Sequence, residues 1–76
     1  MNRFINVSID SMILTVIDDI NGTEINLDKL PYSLSDFIND ITENVVYWLM
    51  EYDSELTLSL VKDCIIQTAE QYDILM

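Results

Sequence analysis

The chain has 76 residues, half of them hydrophobic, and sets fourteen acidic side chains against three basic ones, Arg3, Lys29 and Lys62, for a formal charge of −11. That length holds one domain, and the apolar content is too high for an acid-rich disordered tail. A folded surface this negative repels nucleic acid and anionic lipid and attracts proteins that carry basic patches.

Cys64 is the only cysteine, which excludes an internal disulfide and a cysteine-rich metal site. Its neighbours Val61, Ile65 and Ile66 mark it as a small buried hydrophobe. The opening Met1-Asn2-Arg3-Phe4 lacks the apolar stretch and cleavage site of a signal peptide. The longest uninterrupted apolar run, Val45 to Met50, falls far short of the roughly 20 residues that a membrane span needs. These features predict a cytoplasmic protein with no membrane contact.

Residues 3–28 carry β-branched side chains in alternation, beginning with Ile5, Val7 and Ile9. Asn21-Gly22 is a strong hairpin signal, because a type I′ turn needs positive φ at both central positions. With that turn, Ile20 pairs with Thr23 and Val16 with Leu27. One sheet face then carries Leu14, Val16, Ile20, Ile25 and Leu27, and the wet face carries Ile13 and Ile17 as apolar exceptions. The reading gives three strands, at about 3–9, 12–20 and 23–28. Pro31 closes this region, and Ser33 with Asp36 three residues on offers a helix start of the capping-box kind. Leu34, Phe37, Ile38, Ile41, Val45, Trp48, Leu49 and Tyr52 then repeat at helical spacing, predicting a helix over 34–52. Asp53-Ser54 breaks it and caps a second helix over 55–74, striped by Leu58, Val61, Ile65, Ala69 and Tyr72. The expected fold class is α+β: a three-stranded antiparallel sheet with an antiparallel helical hairpin on one face.

On the first predicted helix, Asp36, Asp40, Glu43 and Glu51 share the face opposite the apolar stripe, with Tyr47 between them. They form a row about 22 Å long at the helical rise. No lysine on this helix offsets their mutual repulsion, and acids at its C-terminal end oppose the helix dipole. Asp63, Glu70 and Asp73 extend the negative surface on the second helix, where Lys62 has no acid at i±3 or i±4. Two readings compete: a solvated face that happens to be acidic, and a row of carboxylates that imitates a phosphate backbone or matches a basic patch. The second reading gives partner-binding roles to Asp36, Asp40, Glu43, Tyr47, Glu51, Asp63, Glu70 and Asp73.

The chain has no histidine, and no glycine-rich phosphate loop or zinc spacing occurs. No cofactor, metal or catalytic residue is assigned, and the expectation is a protein that is not an enzyme.

Leu30-Pro31-Tyr32-Ser33-Leu34-Ser35-Asp36-Phe37, preceded by an acidic hairpin, resembles the small phage inhibitors of uracil-DNA glycosylase, which are dimeric DNA mimics. The resemblance spans residues 14–38, about a third of the chain, and rests on the string Ser-Leu-Ser-Asp-Phe; the second long helix departs from it. It implies a phage-encoded decoy that occupies a DNA-binding groove, with Asp36 and its neighbours near the contact. The composition is also similar to that of anti-restriction and anti-CRISPR proteins and of immunity proteins that block basic nuclease toxins.

The function expected is a binding inhibitor of phage or mobile-element origin. It blocks a basic nucleic-acid-binding or nuclease protein of the host by charge mimicry and does not bind nucleic acid itself. The alternatives are a homodimeric assembly protein whose charge serves solubility and an immunity protein for a basic toxin. Val46, Tyr47, Met50, Leu56, Ile74, Leu75 and Met76 exceed what the core stripes need, which suits either a partner contact or a homodimer.

Overall fold

A computed structural model describes residues 2–76, with side chains from residue 9 onward, so Arg3 is outside the described side chains. Three helices follow one another: α1 (Asn2–Ile20), α2 (Leu34–Glu51) and α3 (Leu58–Gln71), with a single 3-10 turn at Leu27–Lys29. The fold is all-helical. No strand occurs among the described residues; the extended pairing is limited to isolated bridges at Asn21–Ile25 and Ile25–Leu75. The α+β expectation is therefore wrong, because its three-stranded sheet is replaced by one long helix and a loop.

The error has a specific physical cause. Ile5, Val7 and Ile9 alternate as a strand would, but Ile9, Ile13, Val16, Ile17 and Ile20 recur at the spacing of one helical face. All five of those side chains are buried. Ile13 and Ile17, the apolar exceptions on the supposed wet face, are core residues, whereas Leu14 is 49% exposed. β-Branching lowers helix propensity by only a few tenths of a kcal/mol per residue, against about 1.5–3 kcal/mol for fully burying an isoleucine. Tertiary burial wins.

Each helix is followed, two residues beyond its end, by a residue with positive φ. Gly22, at φ 90, follows α1. Here Asn21-Gly22 turns the chain out of a helix, and the amides of Thr23, Glu24 and Ile25 converge on the Ile20 carbonyl. After the C-cap residues Tyr52 and Tyr72 come Asp53, at φ 51, and Asp73, at φ 60. The α3 end is a Schellman motif: the Asp73 amide donates to the Glu70 carbonyl and the Ile74 amide to Ala69, with both apolar partners buried.

Ser33 caps α2 through the Asp36 amide, as expected, whereas α3 is capped by Thr57 rather than Ser54. Residues 53–57 form no helix, so Glu55 lies ahead of the helix that was expected to contain it. Contacts between α2 and α3 run in opposite order, Asp40 with Tyr72 and Asn44 with Gln67, which makes the pair antiparallel.

The core joins the α1 stripe to Phe37, Ile41 and Val45 of α2 and to Val61, Cys64, Ile65 and Ala69 of α3. Ile25 and Ile74 close it at one end, where the Asn26 amide donates to the Ile74 carbonyl at 2.8 Å and the Met76 amide to Glu24 at 2.9 Å. Thr68, buried among them, donates its hydroxyl to the Cys64 carbonyl at 2.8 Å. No helix among the described residues is long and apolar enough to cross a membrane.

Candidate partner-binding surface

Phe37, Ile41 and Val45 turn one face of α2 inward, so residues 36, 40, 43, 47 and 51 stand on the other. Asp36, Asp40, Glu43, Tyr47 and Glu51 are all exposed. Asp36 lies in the first turn, where its charge suits the helix dipole, and Glu51 is the last helical residue, where its charge opposes it. The middle of the row is the best defined. Asp40, Glu43, Asn44 and Tyr47 line an open groove with Gln67, Thr68 and Gln71 of α3. Across it the Asn44 amide donates to Gln67 Oε1 at 3.2 Å, and the Tyr72 hydroxyl donates to Asp40 Oδ2. Tyr72 is itself held against the rings of Phe37 and Tyr32. Asp40 is thus held in place by a neutral donor.

The α3 candidates are dispersed. Asp63 lines a second groove, with Trp48, Ser54, Ile66 and Lys62. Glu70 is exposed near the end of α3, beyond the Asp63 groove. Asp73 lies past the helix end, where its backbone conformation already gives it a structural task. These three extend the negative surface without joining the α2 row.

The bases are placed differently from the sequence reading. Lys62 has no acid at i±3 or i±4, yet its Nζ lies 2.9 Å from Glu24 Oε2 on the loop after α1. This is the one ion pair among the described residues, and it leaves the α2 carboxylates without a cationic partner there. Both side chains are nearly half exposed, so the pair contributes at most about 1 kcal/mol.

Trp48, partly buried against the core as its place in the apolar stripe predicts, and Tyr52, which is exposed, join Tyr47 in a ring cluster at the C-terminal end of α2. Centroids are 4.5 Å apart for Trp48–Tyr52, 5.9 Å for Tyr47–Tyr52 and 6.2 Å for Tyr47–Trp48. Tyr47 is 51% and Tyr52 58% exposed. The neighbouring Tyr52 side chain pushes the Tyr47 hydroxyl above its ordinary pKa of 10.0. The signal for this cluster was the run Tyr47-Trp48 followed by Tyr52 four residues on, which returns to the same face. No family model, curated protein or solved structure matches the chain.

Proposed function

We propose that this protein is an anionic binding module, without catalytic activity, that occupies a cationic surface of another protein and competes there with nucleic acid. The observation that carries the reading is the α2 face, where Asp36, Asp40, Glu43 and Glu51 stand exposed with no cation paired to them among the described residues. Carboxylates held in a row on one rigid element form a diluted version of a phosphate backbone. Their field accelerates encounter with a basic groove, and the adjoining aromatic surface prolongs the contact. This reading does not depend on a hairpin; it depends on α2 alone.

The test uses wild type and Asp40→Lys/Glu43→Lys as baits in parallel captures from a bacterial lysate, with matched circular dichroism to verify folding. The expected result is a basic protein retained by wild type, lost from the variant, released by salt and displaced by added duplex DNA. Identical captures by both baits, or a captured protein that holds DNA and this chain at once, would overturn the reading.

A homodimeric assembly protein is the second reading, favoured by the exposure of Leu14, Leu34, Met50, Leu58 and Met76. Light scattering across a salt series separates the two: screening the repulsion between copies favours the dimer and weakens capture of a basic partner.

A further inference from the structure

We infer that the Tyr47–Trp48–Tyr52 ring cluster is a receptor for an arginine side chain on a basic polypeptide segment. The inference rests on the reading of α2 as a partner-binding face and names the chemistry of its short-range contact. Three rings touch one another at the helix end, and the two tyrosines keep more than half of their surface in solvent. Core packing does not account for that exposure.

The surroundings select the occupant. The last turn of α2 contains no basic residue, Glu51 ends the helix, and Asp53 follows two residues later, exposed. The unsatisfied carbonyls of a helix C-terminus add partial negative charge at the same place. Aromatic faces are negative, so rings, carboxylates and helix end all favour a cation and repel phosphate or a carboxylate ligand. An apolar ligand would gain from the rings and nothing from the acids. Among cations, a guanidinium stacks on an aromatic plane while its edge donates to carboxylates, whereas an ammonium offers only a compact charge. The patch therefore fits arginine better than lysine.

Trp48 is the only tryptophan in the chain, so its fluorescence reports arrival at the cluster. The experiment titrates the full chain with two blocked peptides of equal length and charge, one of alternating arginine and glycine, the other of alternating lysine and glycine. The expected result is about two- to fivefold tighter binding of the arginine peptide, a change in Trp48 emission, and loss of the preference in Tyr47→Leu/Tyr52→Leu. The wild-type comparison stands even if that variant folds poorly.

Equal affinities with unchanged Trp48 emission overturn the inference. If that equal binding disappears in Asp40→Lys/Glu43→Lys, the α2 reading survives without the arginine receptor. If neither peptide binds, both readings fall. A chain that is dimeric alone and becomes monomeric on Tyr47→Leu/Tyr52→Leu shows that the rings face a second copy, which also overturns the inference.

Discussion

Neighbouring residues in α1 carry opposite burdens, and this makes the first third of the chain testable side by side. Ile13 is fully buried and Leu14 half exposed. Ile13→Ala should cost about 2–5 kcal/mol, and Leu14→Ala about 0.5 kcal/mol or less, by urea denaturation. A sheet of the kind expected from sequence would reverse that order. Cys64 gives a second prediction. Its side chain is fully buried, and burial, with a smaller contribution from Asp63, pushes the thiol up from 9.0 to about 11. The folded state thus prefers the protonated thiol more than the unfolded state does. The stability from this preference is complete below about pH 9 and lost as pH rises through 11. Unfolding curves over that range should show a steeper fall in wild type than in Cys64→Ala, and alkylation of native Cys64 at neutral pH should be slow until denaturant is added.

The elements differ in how far the sequence determined them. For α2, the expected span 34–52 compares with Leu34–Glu51, because its apolar residues follow a single period and Ser33 supplies the cap. The span of α3 was drawn too long at both ends, since neither Asp53-Ser54 nor Asp73 shows its backbone conformation in its residue type. Ile5 and Ile9, four residues apart, share a face in a strand and in a helix alike, so α1 was legible only from the longer stripe ending at Ile20. The carboxylate row on α2 was legible because helix geometry alone fixes which residues share a face. The Lys62–Glu24 pair was not, since it joins residues 38 positions apart across the fold. Helix termination carries its own prediction. Asp53 holds a left-handed conformation that glycine adopts freely, so Asp53→Gly should stabilise the chain by up to about 1 kcal/mol. Gly22→Ala should do the opposite by about 1 kcal/mol through backbone strain, because no atom within 4 Å would meet the added Cβ. Thermal melts of the two variants check both signs.

At the scale of the molecule, three helices meet in one core with principal extents of 34 × 20 × 19 Å. None of the helices has a base in its last turn, and acids occupy or follow each C-terminus: Asp18 and Asp19, Glu51 and Asp53, Glu70 and Asp73. A charge of −11 on so small a body adds general self-repulsion. The melting temperature should therefore rise with sodium chloride between about 10 mM and 150 mM, where the screening length shrinks from roughly 30 Å to 8 Å. A flat salt response would show that these charges are already balanced. Removing residues 74–76 should destabilise the fold as a core mutation does, because it takes away the buried Ile74 and both hydrogen bonds that hold the tail to the loop at 24–26.

The acid-ended helices also bear on what complex formation would do to the chain itself. A cationic protein seated over them would act as an immobile counter-ion, relieving an internal tension that the isolated molecule carries at all times. The complex would then resist heating by more than its contact area alone implies, through mass action on a native state that the partner makes less costly to hold. Calorimetry of the free and bound forms would register that surplus directly.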